Sequence, residues 1–234
     1  MNLALFDLDN TLLSCDTDVE WLAFLIREGA VPAAEQAANL ETDERYRQGA
    51  IGAAEYARFY LRYYAQHDMA TLAAWRERFV TTRIVPKVAA SAPSLLQSHA
   101  EDLRVIITAT NRFLTEPIAA ALGVEHLIAT EPRIAGGRFT GDFEGTPCMR
   151  EGKVERLQSW LGMRGKSLHD HETSWFYSDS INDLPLLERV THPVAVDPDA
   201  RLRKIAQTRG WKVITLRSVN VAQPEAFKPR EAQQ

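Results

Sequence analysis

Six short, largely apolar runs that break off in polar or turn-forming residues set the tightest limit on how this chain can fold. The first, Leu3-Ala4-Leu5-Phe6, stops at Asp7-Leu8-Asp9-Asn10-Thr11. Residues 105–108, 127–130, 175–178, 193–196 and 212–216 repeat the pattern. Such runs read as buried strands. Helical patterns lie between them. Residues 153–161 place Val154, Leu157 and Leu161 on one face, with Gly162 as the expected stop. Thr115 is the expected cap of a helix that tolerates Pro117 and stops at Gly123. Asp199 caps a helix presenting Leu202, Ile205 and Ala206, closed by Gly210. Strand–helix alternation predicts an α/β fold, a Rossmann-like parallel sheet flanked by helices.

The stretch from about residue 16 to 83 departs from this rhythm and reads as four helices. Val19, Leu22, Leu25 and Ile26 form one stripe, and Pro32 and Gly49 bracket a second helix. Tyr56, Phe59, Tyr60, Tyr63 and Tyr64 form an aromatic stripe, and Leu72, Trp75, Phe79 and Val80 a fourth. The aromatic stripe is expected to be bundle core. The expected organisation is an α/β core over residues 1–14 and 84–217, an inserted four-helix-bundle cap over 15–83, and a polar tail over 218–234. Gly136-Gly137 between β-prone segments predicts a short β-hairpin flap.

Composition excludes several classes. With 45% hydrophobic and 25% charged residues, the 234-residue chain is too apolar for disorder and long enough for a sizeable core. A net charge of −4 argues against charge-driven nucleic-acid binding. No apolar run approaches the roughly 20 residues of a membrane helix. The first residues lack a basic segment, so no signal peptide is expected. Two cysteines, Cys15 and Cys148, suggest no disulfide framework, and a cytoplasmic location is expected.

Four features fall at expected strand ends or just beyond. Asp7 and Asp9 lie two apart, and close carboxylates repel unless a proton or cation sits between them. A hard cation such as Mg2+ suits such ligands. Thr108-Ala109-Thr110-Asn111 offers a hydroxyl and main-chain N–H groups for phosphate oxygens. Lys153 opens a helix, where ammonium and helix dipole both favour an anion. Ser178-Asp179-Ser180-Ile181-Asn182-Asp183 adds two carboxylates. Alone, each is an ordinary turn, cap or surface lysine. Their conjunction at the carboxyl ends of strands is far more specific.

In this order the motifs resemble the haloacid dehalogenase superfamily, in its phosphoserine-phosphatase-like branch (subfamily IB). Its four signatures appear as Asp7-Leu-Asp-Asn-Thr11, Thr108, Lys153 and Asp179-Ser-Ile-Asn-Asp183. The longer stretches Phe-Asp-Leu-Asp-Asn-Thr-Leu-Leu, Ile-Thr-Ala-Thr-Asn-Arg-Phe and Phe-Tyr-Ser-Asp-Ser-Ile-Asn-Asp resemble bacterial histidinol-phosphatases of that superfamily. The resemblance implies a Mg2+-dependent phosphomonoester hydrolase acting on a small phosphorylated metabolite, L-histidinol phosphate, with no nucleic-acid or membrane partner. Asp7 would be the nucleophile and Asp9 the general acid/base. Asp7, Asp179 and the Asp9 carbonyl would hold the metal. Thr108, Ala109, Lys153 and Asn182 would contact phosphate, with Asp183 orienting Lys153 or a metal-bound water. An aspartate at position 9 favours phosphoester hydrolysis over dehalogenation.

Substrate choice is expected to lie in the cap. Asp16 and Asp18 are candidates to receive a cationic amine, although either can simply cap a helix. Arg45, Arg47 and Arg58 are candidates for a carboxylate clamp, as phosphoserine would need. Trp21 is expected in the core, His169-Asp170-His171-Glu172 in a solvated loop, and Cys15 as a bystander. The alternatives are a phosphoserine phosphatase or a phosphatase of another small metabolite. Outside enzymes stand a receiver-like module and a non-catalytic phosphate-binding module.

Overall fold

The computed structural model describes residues 2–217; the expected polar tail, 218–234, lies outside the described residues. Seven strands form one sheet: β1 (Leu3–Phe6), β2 (Leu103–Asn111), β3 (His126–Ala135), β4 (Arg138–Glu144), β5 (Ser174–Ser178), β6 (His192–Val196) and β7 (Lys212–Ile214). Their order is β4-β3-β2-β1-β5-β6-β7, parallel except for the β3–β4 hairpin. The sheet is central because its strands feed two cores. Alternate residues point to opposite faces, so Ala4 and Phe6 join one apolar cluster and Leu3 and Leu5 the other. Ile106 divides from Val105 and Ile107 in the same way.

Helices α1 (Thr17–Arg27), α2 (Glu35–Arg47), α3 (Ala53–Leu61) and α4 (Met69–Phe79) are inserted between β1 and β2. Asp16 and Asp68 cap α1 and α4 by accepting N–H bonds three residues on. Trp21, 1% exposed, packs against Phe24, Tyr64 and Phe79 as expected. Pro32 precedes α2 by a turn rather than opening it. The aromatic stripe divides: α3 ends at Leu61, with Tyr60, Tyr63 and Tyr64 buried, whereas Tyr56 faces a cavity. The chains entering and leaving the insertion run side by side. Leu13 bridges Val88, and Ser14 N–H donates to Lys87 O at 2.8 Å.

Helices α5 (Ala92–Ser98), α6 (Arg112–Ala121), α7 (Glu151–Gly162), α8 (Leu184–Leu187) and α9 (Ala200–Arg209) cover the sheet. Helix α6 starts earlier than the sequence suggests, because Asn111 caps it by accepting Leu114 N–H, so Thr115 is not the cap. Pro117 then lies inside the helix, where it cannot donate to the Phe113 carbonyl. The Arg76 guanidinium, from α4, donates to that carbonyl instead at 3.0 Å. Gly162 is the last residue of α7, not its left-handed stop; Gly165 carries the positive φ. Asp199 and Gly210 cap α9 as expected. Among the described residues, no helix is long and apolar enough to cross a membrane.

Gly152, in the first turn of α7, lies against the chain before it. A Cβ there would sit 2.0 Å from Pro147 O and 3.1 Å from Thr146 Cγ2. We predict that Gly152→Ala forces this backbone apart, lowers stability by about 1–3 kcal/mol in urea unfolding, and displaces the adjacent Lys153. A midpoint equal to wild type would contradict it.

Candidate active site

The site is built at the carboxyl ends of β1, β2 and β5. Asp7 follows β1, and its N–H donates to Tyr177 O at 2.9 Å. Asn10 adopts φ 58°, reversing the chain just past Asp9. On β2, Ile107 pairs with Ile128 and Asn111 with Thr130, so four steps on one strand match two on the other. The extra residues bulge out and carry Thr108, Ala109 and Thr110 into the cavity. Thr130 Oγ holds the bulge by donating to Ala109 O at 2.7 Å.

Lys153 sits at the centre, 2% exposed. Its Nζ donates to Asp7 Oδ1 and to Asp183 Oδ2, each at 2.7 Å. Asp183 also accepts from Ser178 Oγ at 2.6 Å. Thr11 Oγ lies 3.3 Å from Asp7 Oδ2 and 3.1 Å from Asp179 Oδ1, and accepts the Asp179 N–H. Asp9 is turned away from this cluster. One of its oxygens accepts from Thr17 N–H and Oγ, the other from Thr110 Oγ at 2.8 Å. Asp199 ties the Asp179 loop to α9: its N–H donates to Asp179 O, and its carboxylate accepts Ile181 N–H.

Asp7, Asp9, Thr110, Lys153, Asp179, Asp183 and Asp199 line a cavity of about 450 Å3 in which eight aspartates face Lys153, Arg150 and Arg201. Burial pushes the Asp7 carboxyl up to about 7, although Lys153 opposes the shift. Burial also raises Asp9 and, with Asp7 beside it, holds Asp179 well above the carboxylate range. For Lys153 burial acts downward, but Asp183 and Asp7 more than offset it and keep the ammonium charged. A second acidic group lies on the insertion side. Asp16 is raised to about 7 by burial and by Asp9, and Asp18 well above its usual range by burial and by Asp16.

The haloacid dehalogenase-like hydrolase profile matches residues 4–188. The chain belongs to this family. A histidinol-phosphatase of Neisseria meningitidis serogroup C (strain 8013) is 40% identical over 220 residues, 92% of this chain and 99% of that protein. A phosphoserine phosphatase of Mycobacterium tuberculosis is 28% identical over 234 residues, 96% of this chain and 75% of that protein. Among solved structures, a Bordetella pertussis Tohama I protein of unknown function superposes with a TM-score of 0.88 at 49% identity, over 92% of this chain and 98% of its own. A phospho-aspartyl intermediate analogue of phosphoserine phosphatase superposes at 0.66 with 18% identity, over 92% and 93%. That last likeness is one of fold.

Within this hydrolase, Asp7, Asp9, Thr108, Ala109, Lys153, Asp179, Asn182 and Asp183 all line one cavity, together with Asp16 and Asp18. Asp16 does two things, capping α1 and lining the cavity. Arg45 instead pairs with Glu55 and Arg58 with Asp142, and neither reaches the cavity; the Arg47 side chain lies outside those described. Cys15 is buried, with its thiol pushed up to about 12 by burial and by Asp9. His169 and Asp170 lie in a turn closed by a Ser167–Asp170 capping box. Among the described residues, no group of three or more His, Cys, Asp or Glu side chains is gathered to hold a metal. Sequence reasoning missed Thr11, Thr17, Asp43, Tyr46, Tyr56, Thr110 and Arg150. Of these, only Thr11 and Thr110 fall inside recognised motifs.

Carboxyls whose folded pKa exceeds the unfolded value keep protons that the unfolded chain releases. Their contribution to stability is full below about pH 4 and is lost as pH rises through the folded pKa, about 7 for Asp16. We predict that the stability of D16N/D18N relative to wild type, both in chelator, increases from pH 4 to pH 8. A pH-independent difference in melting temperature would contradict this.

Proposed function

We propose that this hydrolase is a phosphatase that cleaves a small phosphate monoester, L-histidinol phosphate, through an aspartyl-phosphate on Asp7. One observation carries the reaction type. A buried ammonium, Lys153, is held 2.7 Å from the Asp7 carboxylate beside the bulge that presents Thr108 and Ala109. The phosphate oxygens would lie against Lys153, Thr108 Oγ and main-chain N–H groups of the bulge, with Asn182 at the rim. Asp7 attacks phosphorus and the ester P–O bond breaks. Asp9, raised by burial and therefore able to carry a proton, gives it to the departing alkoxide. Water then attacks the acyl phosphate, Asp9 takes its proton, and Asp7 is regenerated as phosphate leaves. Asp183 holds Lys153 in place.

Mg2+ fits the donor set. The single hydroxyl hydrogen of Thr11 can reach only one of Asp7 and Asp179, so the other carboxylate lacks that donor. Two carboxylates with further positions for water and phosphate are what Mg2+ prefers. Asp7, Asp179 and the Asp9 carbonyl would hold it; the Asp9 carboxylate, committed to Thr17 and Thr110, would not. The bound ion supplies charge that offsets repulsion between Asp7 and a phosphate dianion.

The insertion side supports the substrate. Asp18 Oδ1 is buried without a hydrogen-bond partner, and Oδ2 competes with Asp9 for the Thr110 hydroxyl. Among the described residues, none of Asp16, Asp18 and Asp43 forms an ion pair with Lys or Arg. A cationic amine would satisfy this group, whereas the carboxylate of phosphoserine would be repelled by it. The small-metabolite reading places the enzyme in the cytoplasm, where free Cys15 and Cys148 stay reduced.

We predict that wild type releases phosphate from p-nitrophenyl phosphate with Mg2+ and that Asp7→Asn does not. Lys153→Ala should lower kcat by about 10²–10³-fold; a rise in KM alone would instead indicate uniform binding. Across a panel of phosphorylated metabolites, kcat/KM should be highest for L-histidinol phosphate. Asp18→Asn should lower that value by about tenfold and change p-nitrophenyl phosphate turnover far less. Preference for phosphoserine would overturn the substrate assignment.

A further inference from the structure

Arg150 immediately precedes α7 and has backbone angles φ 52°, ψ −123°, a conformation natural to glycine and costly for any side chain. The surrounding chain imposes it. Met149 N–H donates to Pro147 O, Gly152 N–H to Met149 O, and Lys153 N–H to Arg150 O. The side chain that results from this strain spans two parts of the molecule. Nε donates to Asn182 Oδ1 at 3.3 Å, on the loop carrying Asp179 and Asp183. Nη2 donates to the main-chain oxygen of Tyr46, also at 3.3 Å, in the last turn of α2. A helix C-terminus favours a cation. The guanidinium also lies 4.4 Å from the centre of the Tyr46 ring. Beside it, Met149 packs with Tyr46 and Ile51 in a small apolar cluster that Tyr56 and Ala109 adjoin. The end of α2 thus meets the β2 bulge through the Met149 cluster and the Asp179–Asp183 loop through Arg150.

The charge of Arg150 has no carboxylate within ion-pair distance among the described residues, although it lines the same cavity as Asp7, Asp179 and Asp183. We propose that Arg150 is a positioning residue. It latches the helical insertion over the cavity through Tyr46, and through Asn182 it links that closure to occupancy of the site by phosphate. An anion beside Lys153 and Asn182 attracts the guanidinium, and the guanidinium fixes the end of α2. By linkage, closure of the insertion tightens phosphate binding to the same extent. Arg150 reaches the two oxygens with two different nitrogens of its planar fork, Nε and Nη2, a geometry that the single nitrogen of a lysine does not reproduce.

The proposal takes phosphate as the anion and so rests on the phosphatase reading. Amide hydrogen exchange tests it without turnover. In wild type, inorganic phosphate should slow exchange over residues 35–61 by about tenfold. Arg150→Gly, which relieves the backbone strain, should keep or raise the melting temperature, speed basal exchange there and abolish the phosphate effect. Arg150→Lys keeps charge and strain and should also lose the effect. In both variants kcat/KM for p-nitrophenyl phosphate should fall about tenfold. A wild-type phosphate effect in either variant, or none in wild type, would overturn the latch. Failure of wild type to hydrolyse p-nitrophenyl phosphate would instead overturn the phosphatase reading.

Discussion

The Lys153 ammonium lies almost wholly out of water between two carboxylates that arrive from different strands, Asp7 after β1 and Asp183 after β5. Buried charges are tolerated only when paired with good geometry, and removing one partner of such a set typically costs about 3–5 kcal/mol. The rest of the site is arranged to keep this arrangement intact. The first turn of α7 must approach closely enough for Lys153 to reach, which is why Gly152 lies against Pro147. The Asp183 loop must be fixed, which Ser178 and Asp199 accomplish. The central sheet sets the spacing between them, because β1 pairs with β2 on one side and β5 on the other.

The cavity is net acidic, yet the proposed substrate is an anion at one end. Lys153, the main-chain groups of the β2 bulge and a bound cation would control the field at the phosphate end. The carboxylates of Asp16, Asp18 and Asp43 control it at the other. The Tyr56 hydroxyl donates to Asp43 at 2.9 Å, so this acidic wall is anchored to α3. Coulombic effects at such distances fall off within the dimensions of the cavity in a polarisable medium. Opposite electrostatic preferences can therefore coexist a few residues apart.

Much of the fold is readable locally. The run 3–6 is β1 without change, and the Gly136-Gly137 pair makes the turn expected of it, both residues having positive φ. Local reading fails where one residue type serves two ends. Asn111 and Thr115 are both acceptable caps, and Asn111 becomes the cap because the β2 bulge delivers it with the right backbone angles. Pro117 looks like a first-turn proline until Arg76, 37 residues before Phe113, is seen to bond the Phe113 carbonyl that it orphans. In the site, the four motifs announce themselves by residue type at strand ends. Arg150, Tyr46 and Asp43 carry no such signature, since Arg150 meets Tyr46 across 104 residues of sequence.

The sequence by itself therefore determined the alternation of strands and helices, the helical insertion, and the convergence of Asp7, Thr108, Lys153 and Asp179 on one sheet edge. The elements follow from backbone propensity and hydrophobic period, which act over a few neighbours, whereas the convergence is read from the order of the motifs and their family resemblance. Tertiary structure alone decided which oxygen each charge faces. It turned the Asp9 carboxylate to Thr17 and Thr110, excluded Arg45 and Arg58 from the cavity, and brought Arg150 into it. Hydrogen bonds and desolvation depend on separations of a few tenths of an ångström between distant segments, and only the packing of the layers sets those.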